Sequence, residues 1–215
     1  MIIGIVSQKG GVGKSTLARL LAREYSANKW IVKIADMDSK QGTVTRWNMS
    51  RNHAEIEPMI KTEQYRSVTD AITDYNKGAM HLMIFDGAPA ASKTTLQIAN
   101  NSQLILLPTG ISIDDLEPTV RLGHELINEG ISKQRIAIVF CRVGDSTSEL
   151  LDARKYIEQR GYNMVQSSIP DRVAYRRAQD TGRSLAETNF KTLNERAIAI
   201  AQEIVDFSAK HTKGE

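Results

Sequence analysis

The run Gln8-Lys9-Gly10-Gly11-Val12-Gly13-Lys14-Ser15-Thr16 joins three glycines to two lysines and a Ser-Thr pair. Those residue types suit a polyphosphate. Glycines let the backbone turn tightly enough for several N–H groups to face one anion. Lys14 brings a compact charge to the outer phosphates, and Ser15 offers a hydroxyl to Mg²⁺. A helix opening near Lys14 aims its positive end at the same oxygens. Gly10, Gly11, Val12, Gly13, Lys14, Ser15 and Thr16 are therefore the expected nucleotide cradle. Gln8 stands where the general phosphate-loop pattern has glycine. The competing interpretation is a glycine-rich turn with an incidental Gly-Lys-Ser.

Acids follow two apolar runs. Residues 31–35 lead into Asp36-Met37-Asp38-Ser39-Lys40-Gln41-Gly42, and His81-Leu82-Met83-Ile84-Phe85 leads into Asp86-Gly87-Ala88-Pro89. Carboxylates beside a triphosphate make sense with Mg²⁺ and an attacking water to organise. Asp86, ending a buried run, has the form of an acid that holds Mg²⁺ through water. A helix-capping turn at Asp36 and Asp38, or an ordinary strand-ending acid at Asp86, is the alternative.

Residues 9–16 resemble the deviant Walker A motif of the ParA/MinD family of ATPases, a P-loop class that dimerises around nucleotide. The resemblance implies that Lys9 reaches across a dimer to the partner's bound phosphates; a solvated loop lysine is the alternative. Residues 36–42 are similar to the family's Asp-x-Asp-Pro-Gln switch I motif. That similarity gives Asp38 the hydrolytic water, and puts Asp36 near the metal shell or the phosphate-loop backbone. Ser39-Lys40 stands in place of one proline, so the loop is one residue longer. Asp86-Gly87-Ala88 is similar to small plasmid-type ParA proteins, with Gly87 and Pro89 opening switch II. The expected metal residues are thus Ser15, Asp36 and Asp86, and the expected catalytic ones Lys9, Lys14 and Asp38.

These groups need a frame. Strand-like apolar runs at 2–6, 31–35, 82–85, 104–107 and 136–140 alternate with helix-like stretches, beginning with the Leu17, Leu20 and Leu21 spacing. The pattern predicts a doubly wound, mostly parallel α/β sheet with helices on both faces, ligands at the carboxyl ends of its strands, and one P-loop domain over residues 1–215. No Pro/Gly/Ser-rich linker interrupts it. The single Cys141 excludes an internal disulfide framework and a one-chain cysteine metal site. The phosphate loop starts too early to leave room for a signal peptide, and the apolar runs are too short to span a membrane.

Later residues supply secondary expectations. Asp114 and Asp115, after Pro108-Thr109-Gly110, are placed to cap a helix, and by resemblance lie near a dimer interface. Cys141-Arg142 follows the fifth strand-like run and Ile169-Pro170-Asp171-Arg172 a short sixth one, and by resemblance Arg142 and Pro170 match family loops that enclose the adenine; a surface arginine and a turn proline are the alternatives. Net charge is +3, and the excess falls in residues 131–215, with fourteen basic and eleven acidic side chains. Arg172, Arg176, Arg177, Arg183 and Lys191 form a basic face able to neutralise DNA phosphates, or simply a solvated face balanced by nearby acids. The terminal Lys-His-Thr-Lys-Gly-Glu is too polar for an amphipathic membrane anchor.

The resemblance implies a ParA-type ATPase for plasmid partition or cargo positioning, cytoplasmic and nucleoid-associated. Its cofactors are ATP and Mg²⁺. Its partners are a second copy of the chain, nonspecific double-stranded DNA, and a ParB-type or other centromere-binding adaptor that stimulates slow hydrolysis. The alternatives are a MinD-like membrane-positioning ATPase and a non-hydrolysing, nucleotide-dependent DNA scaffold. An iron-sulfur carrier shares the phosphate motif but needs paired cysteines.

Overall fold

The computed structural model describes residues 1–38, 42–89 and 93–212. Ser39, Lys40 and Gln41, which carry the expected loop insertion, and the last three residues of the polar tail lie outside the described residues.

The chain runs β1 (Ile2–Ser7), α1 (Lys14–Ala27), β2 (Val32–Asp36), α2 (Thr43–His53), β3 (Lys61–Gln64), α3 (Val68–Tyr75), β4 (Leu82–Pro89) and α4 (Lys93–Asn101). It continues β5 (Leu104–Thr109), α5 (Ile113–Asn128), β6 (Ile136–Val143), α6 (Thr147–Glu158), β7 (Asn163–Met164), β8 (Ile169–Pro170), α7 (Val173–Asp180) and α8 (Lys191–Thr212). The strands pair in parallel in the order β3-β2-β4-β1-β5-β6-β7, with β8 added against β6.

Alternation along each central strand feeds two cores. Ile3, Ile5, Ile34, Ile84, Leu106 and Val139 pack with Leu17, Leu20 and Leu21 of α1 and Ile200 and Ile204 of α8. On the other face Ile2, Val6, Met83, Phe85, Leu107 and Phe140 pack with Ile98 of α4, Leu116 and Val120 of α5, and Ile157 of α6. Strands buried on both faces must be apolar throughout, which is why the central strands read as continuous runs. Gly4 is the exception. A Cβ there would sit 2.7 Å from Ile98 Cγ2, so the missing side chain admits α4 onto β1.

All five expected strands are present. The sheet also contains β3, whose Lys-Thr-Glu-Gln sequence has no apolar run, because an edge strand is held by backbone pairing to β2 and by a 2.8 Å Lys33–Glu63 ion pair.

A charged cluster fixes α2 against the C-terminal part of the chain. Arg51 is fully buried; its guanidinium donates to Glu187 Oε2 at 2.8 Å, Glu187 Oε1 at 2.9 Å, Gly182 O at 3.1 Å and Pro58 O at 3.1 Å. Trp47 lies between Arg19 and Arg51, with guanidinium carbons 5.4 and 5.6 Å from its ring, and its Nε1 donates to Arg183 O at 3.0 Å. Gly182, at φ +78°, is required, since a Cβ would come within 2.4 Å of the Arg51 nitrogen. Burial alone would raise the Glu187 carboxyl, but hydrogen bonds from Arg51 and the Ser184 N–H, with the charges of Arg51 and Arg23, hold it below its ordinary value.

Removing the cation strands the carboxylate. Arg51→Met should destabilise the protein by about 3 kcal/mol at neutral pH. The stability Glu187 adds is present above the ordinary carboxyl pKa of about 4.3 and lost as acid titrates its depressed folded value, so the deficit should shrink on acidification. Urea midpoints across that range test this, and a deficit independent of pH would contradict the ion-pair account.

Candidate functional site

The phosphate loop lies at the carboxyl end of β1, between β4 and β5, where the chain order of neighbouring strands reverses. Gly11 and Gly13 take φ of +73° and +107°. Helix α1 begins at Lys14 with no side-chain cap and no acid in its first turn. Its first N–H groups and its positive end are therefore left for an anion. The loop, Lys14, Ser15, Thr16, Arg19, Asp38 and Asp86 line a cavity of about 220 Å³. A Cβ on Gly13 would press within 3.0 Å of Cys141, so only glycine fits this turn over β6.

Lys14 is buried and donates from Nζ to the Lys9 carbonyl at 2.9 Å. Burial lowers its pKa, opposed by the charges of Asp86 and Asp38. Asp36 and Asp86 are register partners on β2 and β4 and are 0% and 2% exposed. Their jobs differ. Asp36 accepts from Asp38 N at 3.1 Å, Thr45 N at 3.3 Å and Thr45 Oγ1 at 3.0 Å, so both its oxygens hold the loop and α2 in place. Asp86 accepts from Ser15 Oγ at 2.6 Å through Oδ2, while its buried Oδ1 has no hydrogen-bond partner.

An alcohol and a carboxylate with a spare oxygen, at the mouth of a phosphate loop, fit Mg²⁺, which takes few protein ligands and completes its shell with waters and substrate phosphates. Among the described residues no three of His, Cys, Asp or Glu cluster as a self-sufficient metal site. Of the three expected metal residues, Ser15 and Asp86 have the geometry for a ligand. Asp36 is occupied as a brace.

Lys9 points elsewhere. Its Nζ is 2.6 Å from Asp115 Oδ1 and 2.9 Å from the Asp114 carbonyl at the start of α5. Residue 118, which would normally donate to that carbonyl, is Pro118 and has no N–H. Gly110 makes room for Asp115, since a Cβ would overlap its Oδ2 at 2.2 Å. Asp115 thus serves Lys9 and Ser112 Oγ rather than capping the α5 backbone. Gln8 reaches the same helix, donating to Glu125 at 2.9 Å.

Arg142 has left-handed backbone at φ +57° and donates to Gly11 O at 2.9 Å. With Gly11, Thr16, Pro170, Tyr175 and Gln179 it lines a second cavity of about 190 Å³ beside the first. The structure therefore brings Arg142 and Pro170 together next to the phosphate loop. Sequence reading missed Arg19. It is buried on α1 and donates to Thr43 O at 2.8 Å and Gln179 Oε1 at 2.9 Å, tying α1 to α2 and α7.

The five basic candidates do not share one environment. Arg172 pairs with Asp145, Arg176 with Asp171 and Lys191 with Glu195, all at exposed positions. Arg177 and Arg183 make no ion pair among the described residues and line a larger groove of about 810 Å³.

Burial is the main reason the Asp86 carboxyl is pushed up to about 7, with Asp36 adding to it, against the Ser15 hydrogen bond and the charges of Lys14 and Arg19. A raised carboxyl favours folding below its unfolded pKa and loses that contribution as pH rises through about 7. Without Mg²⁺ or nucleotide, Asp86→Asn should therefore exceed the wild type in stability by about 1–4 kcal/mol at about pH 8 and match it only at about pH 3. Urea denaturation in chelator tests this; equal midpoints at the higher pH would refute it.

Comparison with known proteins agrees with this geometry. The CobQ/CobB/MinD/ParA nucleotide binding domain matches residues 3–185. The maintenance of carboxysome distribution protein A of Gloeobacter kilaueensis is 24% identical over 196 residues, covering 90% of this chain and 88% of that protein. The fold is similar to that of the MinC:MinD cell division protein complex of Aquifex aeolicus, with a TM-score of 0.75, 12% identity and 95% of each chain covered. It is also similar to that of the septum site-determining protein MinD complexed with Mg-ADP from Pyrococcus horikoshii OT3, with a TM-score of 0.71, 17% identity and 98% of each chain covered. With most of its length matched and its phosphate loop, buried acids and doubly wound sheet in place, the chain belongs to the CobQ/CobB/MinD/ParA family of nucleotide-binding domains.

Proposed function

We propose that this protein is a ParA-type positioning ATPase that binds Mg-ATP, dimerises around it, holds nonspecific DNA as a dimer, and lets go when an adaptor stimulates hydrolysis. The observation that carries the reading is the division of labour between the two loop lysines. Lys14 is buried in the phosphate cavity, whereas Lys9 is held outside it on α5, where a second copy could receive it.

The loop N–H groups and Lys14 bind and orient the triphosphate of the substrate ATP. Ser15 and Asp86 would hold Mg²⁺, which neutralises phosphate charge in the transition state. Asp38 lines the cavity and is braced through its backbone by Asp36, which supports giving its carboxylate the task of orienting the attacking water. The adenine occupies the neighbouring cavity beside Arg142 and Pro170. In the dimer, Lys9 exchanges Asp115 for the partner's phosphates, adding a cation where charge develops.

The relatives support a positioning role. One has a name stating that it maintains carboxysome distribution, and another is a cell division MinD in complex with MinC. Exposed ion pairs at Arg172, Arg176 and Lys191 contribute little to stability, so DNA phosphates can replace the carboxylates. Among the described residues no helix is long and apolar enough to cross a membrane.

Cosedimentation with random-sequence duplex DNA at low salt should show binding with Mg-ATP and not with Mg-ADP or without nucleotide. Lys14→Ala should abolish nucleotide binding. Lys9→Ala should bind ATP as a monomer, and Asp38→Ala should accumulate as an ATP-bound dimer with hydrolysis reduced about a hundredfold or more. Analytical ultracentrifugation and single-turnover hydrolysis read these outcomes. Normal turnover by Asp38→Ala would remove its assigned role, and DNA binding indifferent to nucleotide would overturn the cycle.

A further inference from the structure

An open groove of about 810 Å³, larger than the nucleotide cavity, lies between α7, the start of α8 and the connection between them. Its floor is apolar. Val173 and Phe190 are 53% and 58% exposed there, beside Leu193 and the small Ala174 and Ala178. Its rim carries Arg177 and Arg183, neither of which makes an ion pair among the described residues, together with Arg172, paired with Asp145, and Glu187, paired with Arg51. Uncovered aromatic and aliphatic side chains next to unpaired cations constitute an incomplete interface.

The chemistry selects the occupant. Duplex DNA would satisfy the arginines, but its bases are stacked inside and its backbone gains nothing by covering Phe190. A second copy of the same groove would set arginine against arginine. A polypeptide with one or two large apolar side chains flanked by carboxylates satisfies both halves at once.

Both walls of the groove are wired to the nucleotide site. Gln179 of α7 accepts from Arg19, which sits one turn beyond Ser15 on α1 and also holds Thr43 O. The opposite wall, residues 182–187, is bonded to α2 by Trp47 and by buried Arg51, and α2 is braced through Thr45 by Asp36. Tyr175, lining the proposed adenine cavity, donates to Leu193 O on the groove floor at 2.8 Å. A segment seated here therefore bears on α2 and α7, and Arg172 lines both this groove and the proposed adenine cavity.

We infer that this groove is the docking site for an acid-flanked apolar segment of the adaptor protein, and that α2 and α7 carry its effect to the phosphate site. The inference rests on the positioning-ATPase reading for its partner and deepens it by giving that partner's chemistry and place.

The test uses a random peptide display library, panned on the full-length protein both nucleotide-free and with Mg-ATP, and counter-selected on Phe190→Glu. Phe190 is exposed and lies outside the nucleotide machinery, so the variant should bind fluorescent ATP like the wild type. Enriched sequences should carry aromatic or leucine residues flanked by Asp or Glu. Synthesised, they should lose about tenfold or more in affinity for Phe190→Glu and for Arg183→Glu, and weaken with salt. Enrichment of basic or featureless peptides, binding that ignores both substitutions, or no enrichment would overturn the inference. So would duplex DNA binding that falls in parallel with Phe190→Glu, which would make the groove a DNA surface. Failure of the wild type to bind ATP would instead sink the ATPase reading, while selection on nucleotide-free protein would still report on the groove.

Discussion

Asp36 and Asp86 face each other across neighbouring parallel strands, both out of water, at the point where a triphosphate is to be bound. Two adjacent buried carboxylates repel, and neither can keep its charge without donors or cations nearby. The surrounding structure answers each differently. Asp36 accepts three hydrogen bonds from the start of α2 and the loop before it. Asp86 receives one from Ser15 and keeps an oxygen in reserve, and its carboxyl is pushed up to about 7. Buried Lys14 and Arg19 supply the compensating positive charge from α1. The oxygen that Asp86 leaves without a donor is the place where Mg²⁺ would be held.

The same constraint explains why a helix far from the chemistry carries so much polar bonding. Once Asp36 fixes the start of α2, any displacement of that helix disturbs the loop that bears Asp38. Helix α2 has few apolar anchors; of its residues only Val44 and Trp47 are buried and hydrophobic. Its far end is secured by charge instead, through Arg51, Glu187 and the backbone at Gly182 and Arg183. A buried ion pair is a weak way to add stability relative to apolar packing, but it fixes one geometry strictly, which suits an element that braces Asp36 beside the phosphate loop.

Much of this was legible in the sequence, and the divide between what was and what was not is physical. The phosphate loop and the central strands were readable because local rules govern them: glycine for positive φ, unbroken apolar runs for strands buried on both faces. Strand β3 was not, because an exposed edge needs no apolar residues. Two-residue β7 and β8 are too short for a periodic pattern; a short sixth strand-like run is read before Ile169, where β7 lies, and β8 itself, with its proline, is read as a loop. Buried Arg51 and Arg19 were invisible since nothing in a sequence marks a charge whose partner lies 136 or 160 residues away. The basic C-terminal face was legible as composition, yet only three-dimensional placement separates the arginines already paired from the two left open on an apolar groove.

The docking of Lys9 combines both kinds of information. Its sequence signal was present but spread over three places: Lys9 itself, Gly110 giving space, and Pro118 freeing the Asp114 carbonyl. None means much alone. Together they build a receptor that is deliberately modest, because the Lys9 and Asp115 side chains remain 39% and 26% exposed. An ion pair in that setting contributes on the order of 0–1 kcal/mol. In the proposed dimer, a second copy presenting bound phosphates would thus draw Lys9 off α5 at small cost; in the single chain the Asp114 carbonyl holds the side chain outside its own cavity. A deeply buried receptor would have fixed Lys9 too firmly for exchange, and no receptor at all would have left its long side chain to be ordered at the moment of dimerisation, at an entropic cost of roughly 2 kcal/mol.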